Sequence, residues 1–202
     1  MANLVFVVGG AGAGKTTLAK RIAAARHAAL FDMDTLLRPA AEALMSQAGL
    51  DPADRDSDAY KSLCRDLGYR ITMDAALENV ALGTDAIVIG PFSRELNDPD
   101  WLRSELDRAG LDPEAVRIKV VSVYLSDEAR YKARIAGRGG ALDEWKLAHW
   151  ERFSLSLGRK TVAWRLPSNA VLYVDNSTAA PDSVASSIER FIYGESSADG
   201  AN

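Results

Sequence analysis

Cysteine is nearly absent from this chain, because Cys64 is the only one among its 202 residues. One thiol cannot form an intramolecular disulfide, which excludes a disulfide-stapled scaffold and suits a reducing compartment. Long apolar runs are missing too, since nothing approaches the roughly 18 residues that a membrane-spanning helix needs. The first apolar run, residues 4–8, is too short for a signal peptide and has no basic segment before it. We therefore expect a cytoplasmic protein that does not enter a membrane.

Positive charge is in slight deficit. The chain has 24 Lys and Arg against 28 Asp and Glu, a formal net charge of −4. That balance disfavours a surface built to hold nucleic acid, although a local basic pocket stays open. Histidine is rarer still, and His149 has no second metal ligand at a suitable spacing. The 48% hydrophobic and 26% charged composition is that of an ordinary globular domain.

The chain does contain a regular alternation of short apolar runs and helical segments. Strands are predicted at residues 4–8, 28–31, 86–89, 117–125 and 170–174. Helices are predicted at 14–25, 36–47, 58–82, 101–109, 127–136, 143–157 and 181–193, with Ser126 as the N-cap of the fifth. This alternation predicts a three-layer α/β fold, in which helices cover both faces of a parallel sheet. We expect one domain over residues 1–194 and a disordered tail over 195–202.

The strongest motif follows the first predicted strand. Residues 9–16, Gly-Gly-Ala-Gly-Ala-Gly-Lys-Thr, match G-x-x-x-x-G-K-[ST] between a buried strand and a helix. Glycines let backbone N–H groups converge on phosphate oxygens, and the helix N-terminus adds partial positive charge. A glycine-rich turn of a dinucleotide-binding fold is the alternative, but such turns lack the Gly-Lys-Thr ending. The motif therefore predicts a nucleoside triphosphate site, or P-loop.

The residue types within this loop indicate how the nucleotide is held. We expect Lys15 to bridge the β- and γ-phosphates and to act in catalysis, and Thr16 to bind Mg²⁺ through its hydroxyl. Thr17 is expected at the α-phosphate. The predicted ATP-binding residues of the loop are Gly10, Ala11, Gly12, Ala13, Gly14, Lys15, Thr16 and Thr17.

Two carboxylates, Asp32 and Asp34, stand at the end of the second predicted strand. The carboxyl ends of parallel strands line the ligand crevice of an open sheet, so both side chains can face it. Phosphoryl transfer to a hydroxyl needs a group that orients the acceptor and takes its proton, and we predict that Asp34 is this catalytic base. Asp32 is predicted to lie nearer to Mg²⁺. The alternative is that Asp34 only caps the following helix, and a structural role is open for Asp32 too.

The P-loop, the short α/β chain and the Asp-x-Asp together resemble the small P-loop kinases. Within these, the chain is similar to shikimate and gluconate kinases, chloramphenicol phosphotransferase and the polynucleotide 5′-hydroxyl kinases. The resemblance covers nearly the whole chain, but only the P-loop is specific. It implies a five-stranded sheet in the order 2-3-1-4-5, ATP and Mg²⁺ as cofactors, and a mobile lid. The third strand departs from many such kinases, because it ends at Gly90 without a Walker B acid, which favours the magnesium role of Asp32.

The same resemblance implies that residues of about 35–85 bind the phosphoryl acceptor. Arg38 is favoured there, because it lies one helical turn after Asp34 and a guanidinium suits bidentate binding of a carboxylate or phosphate. Beyond the third strand, Phe92, Ser93 and Arg94 are predicted to line the substrate, with plain loop structure as the alternative.

Three arginines, Arg130, Arg134 and Arg138, repeat at intervals of four residues and so share one helix face. They resemble the lid arginines of the small kinases and put the lid at about residues 134–143. Arg138 is predicted to stabilise charge on the γ-phosphate, and Arg134 to contact the adenine or the β- and γ-phosphates. The alternative is a basic surface face paired with nearby carboxylates, which is favoured for Arg130.

These expectations combine into an ATP-dependent kinase that transfers the γ-phosphate to a hydroxyl of a small molecule, such as a metabolite, sugar acid, nucleoside or antibiotic. A 5′-hydroxyl kinase of nucleic-acid ends is an alternative that the acidic composition disfavours. A P-loop ATPase or nucleotide-binding regulatory module is another, although neither a Walker B acid nor switch loops are evident. A small-molecule kinase, monomeric or homodimeric, is therefore the main hypothesis.

Overall fold

A computed structural model describes residues 1–55, 57–137, 141–178 and 180–194, with the backbone alone at residues 141, 142 and 145. The strands are β1 (Ala2–Val8), β2 (Ala29–Asp32), β3 (Ala86–Gly90), β4 (Val116–Tyr124) and β5 (Val171–Asp175). The α-helices are α1 (Lys15–Arg26), α2 (Met33–Gln47), α3 (Asp58–Ala81), α4 (Trp101–Arg108), α5 (Glu128–Ala136), α6 (Ala141–Ala148), α7 (Trp150–Ser154) and α8 (Pro181–Tyr193). The predicted disordered tail, residues 195–202, lies outside the described residues.

The five strands form one parallel sheet in the order β2-β3-β1-β4-β5, which confirms the predicted strand order. The pairing register sets Val8 of β1 beside Gly90 of β3 and Ser122 of β4. Asp32, the last residue of β2, pairs with Ile89. The segments that follow β1, β2 and β3 therefore leave the sheet at the same edge, where open parallel sheets bind their ligands.

The core lies on both sides of the sheet. All seven residues of β1 are buried, and successive side chains point to opposite faces. Leu4 and Phe6 pack against α3 and α4 on one face, and Val5 and Val7 pack against α1 and α8 on the other. A smaller cluster joins α2 to α3 and contains the fully buried Cys64 of α3. Within the described ranges, none of the helices is both long and apolar enough to cross a membrane.

The predicted N-cap of α5 is wrong by one residue. Asp127 caps this helix, because its carboxylate accepts the N–H of Ala129 at 2.8 Å. Ser126 is bonded to Ser177 in the segment after β5 instead. The position of α5 is therefore tied to the end of the last strand by the residue just before its cap.

The helix predicted over 143–157 is divided into α6 and α7 at His149, whose φ and ψ of −114° and 38° are not helical. On one straight helix, Lys146 and Trp150 would face the same side. In the structure Lys146 lines a cavity, whereas the indole of Trp150 donates to Glu128 of α5 at 2.7 Å. The break lets these two side chains reach different partners.

Candidate active site

The part of the P-loop between β1 and α1, residues 9–14, needs glycine at two positions. Gly9 has a φ of +142°, and a Cβ there would lie 2.0 Å from the carbonyl oxygen of Val123 in β4. Gly14 has a φ of +98° as the left-handed N-cap of α1, and a Cβ there would lie 2.4 Å from Nδ2 of Asn176. Positive φ and close packing each exclude a side chain. The loop thus reaches the N-terminus of α1 with bare backbone, which suits an anion.

Lys15 and Thr16 begin α1 next to the end of β2. The Nζ of Lys15 donates to the carbonyl oxygen of Gly10 at 2.9 Å. The Oγ1 of Thr16 donates to Oδ2 of Asp32 at 3.2 Å. The other carboxylate oxygen of Asp32 accepts the N–H of Asp34 at 3.1 Å and so caps α2. The alternative in which Asp34 caps this helix is therefore wrong, and α2 begins three residues earlier than predicted because Asp32 is the cap.

The side chain of Asp34 lies in a concavity in front of the P-loop. Solvent reaches it, yet protein surrounds it on most sides, and this burial raises the pKa of its carboxyl. The charge of Asp32 raises that pKa further, while Lys15, Lys146 and Arg38 act to lower it. A carboxylate with a raised pKa accepts a proton more readily than an ordinary aspartate, which suits a general base.

One cavity of about 480 Å³ joins the P-loop to the region predicted to bind the acceptor. This volume lies within the range of small-molecule sites. The P-loop end is lined by Gly9, Ala11, Gly12, Gly14, Lys15, Thr16, Thr17 and Asp32. The other end, which we call the acceptor end, is formed mainly by α2, α3 and α6 and includes Asp34, Leu37, Arg38, Arg55, Tyr60, Lys61, Arg65, Tyr69, Pro91, Ser93 and Lys146. The predicted base and the predicted phosphate loop therefore share one concavity.

Ion pairs hold parts of the acceptor end in place. Arg65 donates to both carboxylate oxygens of Glu95 at 2.8 and 3.0 Å, and its guanidinium lies 4.7 Å from the centre of the Tyr69 ring. The pair is mostly buried, with side-chain exposures of 15% for Arg65 and 8% for Glu95. Arg55 pairs with Glu42 at 3.3 Å. These cations therefore help to form the cavity wall, in addition to any contact that they make with a ligand.

The predicted substrate contact of Phe92 is wrong. Its ring is fully buried and meets the rings of Phe6 and Tyr69 edge-on, at centroid distances of 5.4 and 5.0 Å. Its N–H donates to the Tyr69 hydroxyl at 3.0 Å. The ring thus anchors the segment after β3 from beneath, while Ser93 reaches the cavity. Arg94 is exposed on the same segment and is not part of the cavity wall, which corrects its predicted role.

Arg134 of α5 lies against the P-loop from behind. Its Nη2 donates to the carbonyl oxygen of Asn176 at 2.7 Å, and its Nη1 donates to that of Ala13 at 3.4 Å. The Nδ2 of Asn176 donates to the same carbonyl of Ala13 at 2.8 Å. Arg134 and Asn176 thus hold one peptide of the P-loop together. A direct contact of Arg134 with the nucleotide stays a prediction.

Of the other two predicted lid arginines, one lies on the surface of α5 and one outside the described residues. Arg130 donates to the carbonyl oxygen of Ser177 and pairs with Asp127 at 3.5 Å, so its predicted surface pairing agrees with the structure. Arg138 lies outside the described residues, as do its neighbours 139 and 140. The mobility of the lid at about 134–143 and the γ-phosphate role of Arg138 therefore stay predictions.

Asn176 and Lys146 are among the residues of the site that were not predicted from the sequence. Asn176 is buried just after β5, and its position at the carboxyl end of a strand was the only available signal. Lys146 on α6 lines the cavity and pairs with the buried Asp143 at 2.9 Å. Nothing in the sequence around Lys146 marks it as a site residue.

The pair formed by Thr16 and Asp32 fits a magnesium ion that is bound mainly through phosphate oxygens and water. Both supply hard oxygen donors, the kind that Mg²⁺ prefers, and these lie 3.2 Å apart beside the P-loop. In the described part of the chain, no group of three or more His, Cys, Asp or Glu could hold a metal ion alone. An ion here would take its other ligands from a nucleotide, as Mg²⁺ does in phosphate sites.

Residues 4–159 match the family model described as the AAA domain. The match covers more than half of the chain and contains the P-loop, the Asp-x-Asp and all of α5. The chain therefore belongs to the AAA domain family. No curated protein matches its sequence.

Several solved structures have the same fold over nearly their whole length. A candidate kinase from Chloroflexus aurantiacus is 16% identical, with a TM-score of 0.65 and 94% of each chain covered. A sugar kinase from Janibacter sp. is 17% identical, with a TM-score of 0.62 over 96% of this chain and 97% of that one. The tunicamycin resistance protein of Deinococcus radiodurans is 17% identical, with a TM-score of 0.54 over 93% and 94%. At these identities the likeness shows the fold alone, which is that of the P-loop kinases.

Proposed function

We propose that the protein is an ATP-dependent kinase that transfers the γ-phosphate of ATP to a hydroxyl of a small molecule. The observation that carries this proposal is the shared cavity, in which the P-loop and the Asp34 carboxylate face the same space of about 480 Å³. Because Asp32 caps α2, Asp34 is left to act on a ligand. A binding module for nucleotide alone needs no such carboxylate opposite its phosphate loop.

The P-loop end of the cavity is the donor side. Its N–H groups and Lys15 would hold the β- and γ-phosphates, and Thr17 would reach the α-phosphate. Thr16 and Asp32 would hold Mg²⁺, which supplies neutralisation of phosphate charge when it is bound. Lys15 is bonded to a loop carbonyl at 2.9 Å, which keeps its ammonium beside the phosphate position.

The acceptor end positions the hydroxyl. Asp34 would accept the hydroxyl proton while the acceptor oxygen bonds to the γ-phosphorus and the bond to the β,γ-bridging oxygen breaks, with ADP as the leaving group. Its raised pKa supports this role, since the carboxylate is a better proton acceptor than in water. Arg134 and Arg138 are proposed to stabilise the phosphates during transfer, and closure of the lid would exclude water that competes with the acceptor.

The size of the cavity supports a small acceptor such as a metabolite, sugar acid, nucleoside or antibiotic. The names of two neighbours agree with this range, since one is a sugar kinase and another a tunicamycin resistance protein. The net charge of −4 disfavours a nucleic-acid end as the acceptor.

Asp34→Asn tests the proposal directly. The amide keeps the shape of the side chain but cannot take a proton, so we expect acceptor-dependent ADP release to fall about 100- to 10,000-fold. Binding of a non-hydrolysable ATP analogue with Mg²⁺ should persist. The assay measures ADP release with and without a panel of hydroxylated metabolites, nucleosides and antibiotics.

A matched control is Asp182→Asn on the exposed start of α8, which removes the same charge far from the cavity and should leave turnover unchanged. Turnover of Asp34→Asn within a few-fold of the wild type would contradict the base assignment. Hydrolysis of ATP that no acceptor stimulates would favour an ATPase or regulatory module instead.

A further inference from the structure

The cavity wall carries an excess of positive charge. Among the described residues, six cationic side chains line it against two carboxylates: Lys15, Arg38, Arg55, Lys61, Arg65 and Lys146 against Asp32 and Asp34. Lys15 belongs to the phosphate loop. The other five lie at the acceptor end, where a phosphoryl donor does not by itself account for them.

Four of these five cations already have carboxylate partners. Arg65 pairs with Glu95 at 2.8 Å, Lys146 with Asp143 at 2.9 Å and Arg55 with Glu42 at 3.3 Å. Lys61 pairs more loosely with Asp58 at 3.8 Å. The charges of Arg65, Lys146 and Arg55 are thus balanced within the protein, and that of Lys61 only weakly, because the Asp58 side chain is fully exposed.

Arg38 is the cation at the acceptor end that is left over. In residues 1–55, 57–137, 141–178 and 180–194, no carboxylate lies within 4.0 Å of its guanidinium, and the guanidinium donates no hydrogen bond. It is nevertheless close enough to lower the pKa of Asp34. A guanidinium that lines a cavity without a partner is suited to receive an anionic group of a ligand, because its planar donors fit carboxylate and phosphate oxygens.

The spacing on α2 relates this cation to the proposed base. Asp34 and Arg38 are four residues apart on one helix, so they share a face. Their Cα atoms are separated by about 6 Å along the helix axis. A ligand that presents a hydroxyl to Asp34 can therefore present a second group to Arg38 about one helical turn away. A cationic group at that distance would be repelled.

We propose that the acceptor is a hydroxylated anion, with a carboxylate or phosphate bound by Arg38 while Asp34 receives the hydroxyl. This inference rests on the proposed kinase function. Arg38 is then the specificity residue of the acceptor end, and amino sugars and other cationic acceptors are excluded.

The kinetic test compares matched acceptors. The panel pairs hydroxy acids with their carboxamides, and sugar phosphates with the free sugars, at one fixed pH. Only the anionic member of a pair should stimulate ADP release. In Arg38→Gln, KM for that acceptor should rise about 10- to 100-fold, the size of a lost charge-assisted hydrogen bond, while kcat and KM for ATP stay within a few-fold.

Arg117→Gln is the matched control, because it removes the same charge from the exposed amino end of β4, opposite the cavity. It should leave all constants unchanged. Efficient phosphorylation of the neutral member of a pair, or equal constants for Arg38→Gln and the wild type, would overturn the inference while the kinase proposal stands. Acceptor-independent ATP hydrolysis alone would overturn the kinase proposal itself.

A binding measurement keeps the inference testable without the natural acceptor. The nucleotide site is filled with a non-hydrolysable ATP analogue and Mg²⁺, and acetate or inorganic phosphate is then titrated by calorimetry. We expect saturable binding to the wild type and to Arg117→Gln, and binding at least about 10-fold weaker to Arg38→Gln. Equal binding of both anions to all three proteins, or no binding to any, would overturn the assignment of Arg38.

Discussion

The hydrogen bond from Asn176 to the P-loop leads to a prediction about two quantities, the stability of the protein and its affinity for nucleotide. Asn176→Ala removes an amide that donates to the buried side of the loop at Ala13, over 2.8 Å. Ala13 keeps a contact with Arg134 at 3.4 Å, which is longer than a good hydrogen bond. A buried carbonyl that loses its donor destabilises a protein by about 1–3 kcal/mol.

The expected change in melting temperature follows from the size of the protein. For a domain near 200 residues, each 1 kcal/mol shifts Tm by about 2–4 °C, so a loss of about 2 kcal/mol predicts a Tm lower by about 4–8 °C. The Kd of an ATP analogue with Mg²⁺ should also rise about 10-fold, or about 1.4 kcal/mol, because a loosened loop must be ordered when it binds. Thermal unfolding and calorimetric titration on the same preparations measure both quantities.

Asn79→Ala is the matched control for this prediction. Asn79 also donates to a backbone carbonyl, that of Ala75 at 2.9 Å, but on α3 and far from the P-loop. It should leave the nucleotide Kd unchanged, whatever its effect on Tm. The same Kd for Asn176→Ala and the wild type would refute the conclusion that Asn176 holds the P-loop ready for nucleotide. Asn176→Asp offers a second check, since a carboxylate cannot donate to Ala13 and should weaken nucleotide binding at least as much.

Two further predictions concern the acceptor end and the core beneath it. Lys146→Met removes a charge that lowers the pKa of Asp34. Because the base acts when it is ionised, activity falls as the pH falls through this pKa. The acid limb of the kcat/KM profile should therefore move to higher pH in the variant. A limb that stays in place would contradict the influence of Lys146. Phe92→Ala empties a fully buried site and should lower the free energy of unfolding by about 3–5 kcal/mol in denaturant titrations. The folded fraction should keep its KM for the acceptor. A large change in this KM at unchanged stability would show that the Phe92 ring contacts the substrate after all.

The parts of the site that were predictable are those that depend on residues adjacent in the sequence. The glycines before Lys15 and Thr16 need a particular backbone, and that need is visible in the sequence because few other residues permit it. The positions of Asp32 and Asp34 followed from a general rule about the ends of parallel strands. The order of strands and helices followed from alternating apolar runs, and the parallel sheet then followed from the connections.

The identity of the helix cap shows where local patterns stop. Either Asp32 or Asp34 could cap α2 by composition, since aspartate is common at this position. The choice of Asp32 depends on its φ of −91° at the end of β2 and on the Thr16 hydroxyl opposite, which belongs to another element. Only after that choice is Asp34 available for a ligand.

By itself, the sequence determined the α/β fold, the P-loop and the carboxylates at the sheet edge, because each depends on short-range backbone preferences. The tertiary structure alone decided that Phe92 supports the site from the core and that Asn176 reaches a loop 163 residues away. It also decided that both Arg38 and Arg65 line the cavity, but that only Arg65 has a carboxylate partner there, Glu95. Such contacts depend on how whole elements pack, so residues distant in the chain determine them and no local pattern records them.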